Sequence, residues 1–159
     1  MNFTFTPENK KKFDEYVKRY PQKRAALLPA LWLAQEQNGW ISGEVMEYLA
    51  GLLEVTPAFV YETVTFYTMY NKKPIGKHHI QVCNSVCCWL RGSEQTVDYL
   101  KRKLGVNVGE STADGRFHLS TVECLGSCGS APMMQIDNDY FENLDEEKID
   151  QILNELNTE

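Results

Sequence analysis

The sequence predicts an α+β chain in two parts, a small N-terminal helical bundle followed by an α/β domain. Three observations predict it. Up to about residue 74, apolar residues recur with helical spacing between cap-and-proline signals. After the polar, Pro/Gly-bearing junction Asn71-Lys72-Lys73-Pro74-Ile75-Gly76-Lys77 the pattern changes to short alternating runs. All five cysteines then fall between His79 and Met133, inside the second part.

In the first part, Thr6 followed by Pro7 is a helix N-cap with proline at the first helical position. The helix is expected to run to about Tyr20, where Pro21 stops it, with Phe13, Tyr16, Val17 and Tyr20 on one face. A second helix is expected over about Gln22 to Gln37, kinked at its interior Pro29 and ended by Gly39. Ser42 caps a third, about Gly43 to Leu53. Thr56-Pro57 opens a fourth, which closes on the aromatic run Thr65-Phe66-Tyr67-Thr68-Met69-Tyr70. These aromatics read as core packing, with partner docking as the alternative. The bundle carries no catalytic constellation.

In the second part, His79-Ile80-Gln81-Val82 is a short strand leading into Cys83. Ser93 is the expected N-cap of a helix through Val97, Leu100 and Leu104 that Gly105 ends. Asp114-Gly115 is a turn, and Phe117 to Val122 alternates again before Cys124. Pro132 to Ile136 and Tyr140-Phe141 read as a hairpin, and Asp145 caps a last helix through Ile149, Ile152, Leu153 and Leu156. This order predicts a parallel strand pair with a crossover helix, then a hairpin and a closing helix, which is a thioredoxin-like arrangement. Both cysteine loops then follow strand C-termini and lie at one end of the domain. The reading therefore divides the chain into a helical bundle domain, 1–74, and a thioredoxin-like domain, 75–159.

The cysteines form two short loops, Cys83-x4-Cys88 and Cys124-x3-Cys128, separated by 35 residues, with Cys87 beside the first. Four soft thiolates suit a [2Fe-2S] cluster, two on each tetrahedral iron. Gly126, Gly129, Ser127, Ser130 and Ala131 are expected to let the backbone approach the sulfurs. Structural zinc also takes four cysteines, and these spacings sit at the long end of its usual knuckles. A dithiol oxidoreductase would want a C-x-x-C at a helix start, which is lacking. Chemistry alone leaves Cys87 and Cys88 both eligible, since Cys83-x3-Cys87 would mirror Cys124-x3-Cys128.

Composition bounds the partners. Of 159 residues about a quarter are charged and the net charge is -6, which disfavours nucleic acid as a ligand because phosphate contacts need a basic face. No apolar run approaches the ~20 residues of a spanning helix. The first ten residues lack the basic-then-apolar layout of a secretory signal and the Arg-rich pattern of a transit peptide. The reading is a cytoplasmic, prokaryotic protein or a mature chain, whose grouped thiols serve metal or redox chemistry rather than disulfides.

Cys83-x4-Cys88-x-Leu90-x-Gly92-Ser93 and Glu123-Cys124-Leu125-Gly126-x-Cys128-x-x-Ala131-Pro132 resemble the signature of the NuoE family, the thioredoxin-like [2Fe-2S] subunit of the NADH-oxidising module of respiratory complex I. Gln35-Glu36-Gln37-x-Gly39-Trp40, Thr65-Phe66-Tyr67 and Gly76-Lys77-His78-His79-Ile80 extend the likeness over nearly the whole chain. The resemblance implies cluster ligands Cys83, Cys88, Cys124 and Cys128, leaving Cys87 a free thiol. It implies a partner, the FMN- and NADH-binding flavoprotein subunit (NuoF type), within the peripheral arm of a membrane-bound complex. There the cluster holds one electron from the flavin, off the main route to quinone; a role in limiting the lifetime of a partly reduced flavin has been proposed for it. The chain is then a non-catalytic electron-transfer subunit, and it lacks a glycine-rich dinucleotide fingerprint of its own. The same subunit type serves NAD-linked hydrogenases and formate dehydrogenases. A zinc-stabilised interaction domain without a redox role is the alternative of another class.

Four further expectations concern single features. Trp89 shields the cluster, packs on a partner or joins the core. His78 and His79 are expected to be solvated or to cap the strand, with metal binding as the alternative. The Ala131-Pro132 bond is cis. The acidic tail from Asp139 onward is a solvated helix face.

Overall fold

The computed structural model describes residues 3–158. Contacts divide the chain into two compact units, one through Pro74 and one from Ile75.

The first unit is helical: α1 (Pro7–Lys18), α2 (Leu27–Asn38), α3 (Gly43–Leu53) and α4 (Pro57–Phe66). The cap signals form as expected. Thr6, Ser42 and Thr56 side chains accept from the backbone N–H groups of Asn9, Val45 and Phe59. Gly39 ends α2 at φ 81°. The expected kinked helix over Gln22 to Gln37 is instead a 3-10 turn, Lys23–Ala26, followed by α2. Pro29 thereby becomes the third residue of α2. Its missing N–H falls in the first turn, where no intrahelical acceptor exists, so no hydrogen bond is lost and no kink is needed.

The core of this unit gathers Phe13, Leu27, Leu31, Ile41, Leu49, Leu53 and Val60. Gln35, also buried, donates to the Met69 carbonyl (3.0 Å) and accepts from the Asn71 N–H (2.7 Å), so it pins the segment after α4. Tyr70 is buried there, its hydroxyl donating to the Leu28 carbonyl at 2.9 Å. The expectation that the whole aromatic run packs inside fails at Phe66, which is 76% exposed. Helix α4 ends at Phe66, and the chain turns so that Tyr70, not Phe66, reaches the core.

The second unit is a mixed sheet with two helices packed on its apolar face. Among the described residues the sheet has five strands, β1 (His78–Cys83), β2 (Glu110–Ser111), β3 (Phe117–Val122), β4 (Met134–Ile136) and β5 (Asp139–Phe141), in the order β2-β3-β1-β4-β5. Strands β1 and β3 are parallel, with Cys83 opposite Val122; the other pairs are antiparallel. The crossover between β1 and β3 holds α5 (Val86–Leu90) and α6 (Ser93–Leu104), and α7 (Glu146–Thr158) closes the chain. Ile80, Val82, Phe117, Leu119, Met134 and Ile136 meet Leu100 of α6 and Ile149, Ile152 and Leu153 of α7 in one core. Tyr99 and Lys103 of α6 both donate to the Asp150 carboxylate of α7, at 2.7 and 2.9 Å. Ala131-Pro132 is cis, as expected. Among the described residues no helix is long and apolar enough to cross a membrane.

Two elements are additions to the sequence reading. Strand β2 is two residues long and α5 is five, both shorter than the windows in which periodicity speaks. One cap is corrected: Gly92, at φ 101°, is the N-cap of α6, and Ser93 is its first helical residue.

The histidines also differ from expectation. His78 is 6% exposed, and its Nδ1 lies 2.9 Å from Asp137 Oδ2 in the β4–β5 turn. His79 Nε2 is hydrogen-bonded to Ser120 Oγ at 2.8 Å, and its ring is 5.0 Å from that of His118, its register partner on β3. Strand alternation explains the pair: positions opposite one another on neighbouring strands point to the same face. Burial first, then the neighbouring His118, lower the pKa of His79 from 6.5 to about 4. The fold holds this ring neutral, so His79 contributes fully above pH 6.5, and that contribution is lost as pH falls toward 4. The loss should be about 2 kcal/mol after allowance for partial exposure. His79→Gln should therefore flatten the decline of the unfolding midpoint between pH 6.5 and 4. An identical decline in wild type and variant would contradict this.

Candidate metal centre

Strand direction builds the site. Because β1 and β3 are parallel, their C-terminal ends lie side by side. Cys83 is the last residue of β1, and Cys124 follows the end of β3 by two residues. Helix α5 starts three residues after Cys83 and carries Cys87 and Cys88. The 3-10 turn Cys128–Ser130 carries Cys128.

The thiols meet in pairs. Cys83 and Cys88 are buried together in a small cluster with Ala131 and Met133, bordered by Leu125. Cys124 Sγ and Cys128 Sγ lie 3.6 Å apart, both on exposed residues. Two thiolates on one tetrahedral metal, with metal–sulfur bonds of about 2.3 Å, lie about 3.8 Å apart, so this spacing fits one edge of such a centre. Cys88 also feels Cys124, which links the two pairs. Among the described residues, no three His, Cys, Asp or Glu side chains converge on one point.

Backbone donors address the sulfurs. The Gly126 N–H donates to Cys124 Sγ at 3.4 Å, and the backbone of Met133 opposes the upward shift of the Cys88 thiol. Gly126 sits at φ 91°, a left-handed conformation that turns its N–H toward the sulfur. The sequence reading had these glycines making room for close approach. A Cβ at Gly126 or Gly129 would meet no protein atom within 4 Å, so at Gly126 the requirement is conformational rather than steric.

The protonation of the thiols follows from their surroundings. Burial, then the neighbouring Cys83 thiol, pushes the Cys88 thiol up to about 11. The contact with Cys124, then the nearby Cys87 thiol, raises Cys128 to about 11. Without metal both remain thiols at neutral pH, so metal binding must displace protons here. The donor set fits a cluster held by two thiolate pairs.

The fifth cysteine lies closer than the sequence suggested. Cys87 is exposed, yet it stands near enough to Cys128 to raise that thiol's pKa. Only the C-C dipeptide on a short helix could have hinted at this, since adjacent helical side chains point about 100° apart. Trp89 is 52% exposed, which excludes core packing. His78 and His79 lie at the start of β1, away from the thiols at its end.

Comparison with known proteins bears on the site. A family model described as thioredoxin-like [2Fe-2S] ferredoxin matches residues 13–157. The chain is 45% identical over 161 residues to an NADH-quinone oxidoreductase subunit of Rickettsia felis, covering 99% of this chain and 96% of that one. It is 47% identical over 158 residues to the corresponding subunit of Rickettsia conorii, covering 98% and 95%. It is 48% identical over 135 residues to an NADH-quinone oxidoreductase subunit of Rhizobium meliloti, covering 85% and 80%. Among solved structures, an NAD+-reducing [NiFe]-hydrogenase in the air-oxidised state superposes with a TM-score of 0.74 at 22% identity. That match covers 83% of this chain and 23% of the hydrogenase chain, a likeness of fold alone.

Proposed function

The chain belongs to the thioredoxin-like [2Fe-2S] ferredoxin family, and from that premise we propose that it is an electron-transfer subunit of an NADH-quinone oxidoreductase. It holds one [2Fe-2S] cluster on Cys83, Cys88, Cys124 and Cys128. The observation that carries the reading is the pairing of thiols at one end of the sheet, Cys83 with Cys88 and Cys124 with Cys128. When bound, such a cluster supplies one-electron redox chemistry.

The chain's own residues hold and tune it. The buried pair, Cys83 and Cys88, anchors one side against Ala131 and Met133 and keeps water from it. The exposed pair, Cys124 and Cys128, faces outward, where an electron partner can approach. The Gly126 N–H donates to the Cys124 sulfur, and the Met133 backbone favours the thiolate form of Cys88. The FMN and NADH sites are assigned to a flavoprotein partner (NuoF type) in the peripheral arm of the complex. The chain by itself is a non-catalytic subunit. In this reading 1–74 is a helical bundle domain and 75–159 the cluster domain.

The test mixes the cluster-loaded chain with its flavoprotein subunit under anaerobic conditions and adds NADH. The visible bands of the chain should bleach only when the flavoprotein is present. Bleaching by NADH without it, or none with it, contradicts the reading.

A further inference from the structure

We propose that Tyr140 is a positioning residue of the metal centre, whose hydroxyl fixes the Leu125–Gly126 peptide so that the Gly126 N–H addresses the Cys124 sulfur. The inference rests on the proposed function and adds a residue that sets the reduction potential of the cluster.

The loop 124–130 carries the two outer ligands and has little to hold it. None of its residues is buried, and its one regular piece is the 3-10 turn Cys128–Ser130. Among the described residues, the hydrogen bonds that tie it to the rest of the chain come from one segment, 140–143. The Tyr140 hydroxyl donates to the Leu125 carbonyl at 3.0 Å. The Asn143 N–H donates to the Ser130 carbonyl at 2.7 Å and holds the far end.

The first of these bonds acts on the sulfur. The Leu125 carbonyl and the Gly126 N–H belong to one peptide unit. That unit is planar and trans, so its two polar groups point in opposite directions and turn together. Gly126, at φ 91°, has no Cβ to restrict the plane, and no protein atom stands within 4 Å of where one would be. Local sterics therefore do not select the orientation seen, and a hydroxyl anchored elsewhere must. Tyr140 is the middle residue of β5 and pairs with Gln135 of β4. Strand β4 pairs in turn with β1, whose last residue is Cys83. The anchor thus runs from the sheet that carries an inner ligand to the loop that carries the outer ones.

The consequence is electronic. An O–H donating to a carbonyl polarises the peptide and strengthens its N–H as a donor. The Gly126 nitrogen lies 3.4 Å from Cys124 Sγ. Reduction adds one negative charge at the sulfurs, and a donor aimed at a sulfur favours the more negative state. The Tyr140 hydroxyl therefore raises the potential through the peptide it holds.

The test is a redox titration of the cluster-loaded chain, followed by its visible bands. Tyr140→Phe keeps the ring and removes the hydroxyl. It should lower the potential by the equivalent of about threefold in the one-electron equilibrium, roughly 30 mV. It should also release iron to a chelator about threefold faster, with the unfolding midpoint unchanged. Tyr140→Leu, which removes the ring as well, should lower the potential at least as far. Tyr99→Phe removes the hydroxyl that binds Asp150 between α6 and α7, and should leave potential and iron release as in wild type. A wild-type potential in Tyr140→Phe overturns the proposal, and a shift seen with Tyr140→Leu alone would make the ring the operative group. An equal shift in Tyr99→Phe overturns it too, since general loosening of the domain would then suffice. If the wild-type chain holds zinc and no sulfide, the proposed function fails and the inference falls with it.

Discussion

Cys88→Ser is expected to leave the purified chain with little bound iron and no visible charge-transfer bands, whereas Cys87→Ser should leave iron, sulfide and spectrum unchanged. The two cysteines are neighbours on α5, and a helix turns about 100° per residue, so they cannot both face Cys83. Cys88 is the inward one: it is 2% exposed and buried in one cluster with Cys83, Ala131 and Met133. Serine there would put a hard, shorter oxygen donor where a soft thiolate is wanted. Cys87 is exposed and meets only the rim of the centre through Cys128. Iron and sulfide assays on both variants decide the matter. Loss of the cluster from Cys87→Ser with retention in Cys88→Ser would move the ligand assignment to the Cys83-x3-Cys87 spacing.

Gly76→Ala should destabilise the second unit by about 3 kcal/mol or more, the upper range for overpacking a tight contact. A Cβ at Gly76 would lie 2.6 Å from the Phe117 carbonyl carbon and 2.9 Å from its nitrogen. Both are backbone atoms at the start of β3, so no rotamer change relieves the clash. The alternative is to shift the strands apart where Lys77 and His78 donate to the Gly115 and Arg116 carbonyls. Gly51→Ala makes the opposite case. A Cβ there meets nothing within 4 Å inside α3, and alanine should stabilise the helix by roughly 0.5–1 kcal/mol. Chemical unfolding of both variants reads the two signs. A Gly76→Ala chain as stable as wild type would show that the close strand approach is not tight.

Much of the fold was legible because the relevant signals are local. Thr6-Pro7, Ser42, Thr56-Pro57 and Gly39 mark helix ends through hydrogen bonds made within a few residues. The sheet was legible because alternation in Ile80, Val82, Phe117 and Leu119 reports a single buried face. Pro29 misled because its effect depends on its distance from the helix start, which only the 3-10 turn before it settles. Ser93 misled because a glycine just ahead of it could take the cap. The burial of Tyr70 rather than Phe66 depends on how the chain leaves α4 and on Gln35, 34 residues from Met69 in sequence. In the site, the two cysteine loops and their meeting at one sheet end followed from spacing and strand direction. The closeness of Cys87 to Cys128 did not, since it depends on side-chain direction in a five-residue helix.

The central claim is that four thiolates hold two irons and two sulfides. The most direct test is an absorption spectrum of anaerobically purified protein, with iron, sulfide and zinc measured on the same sample. The account predicts visible charge-transfer bands, with iron and sulfide in equal amounts near two per chain. A colourless protein holding one zinc and no sulfide would leave the fold standing and remove the electron-transfer function.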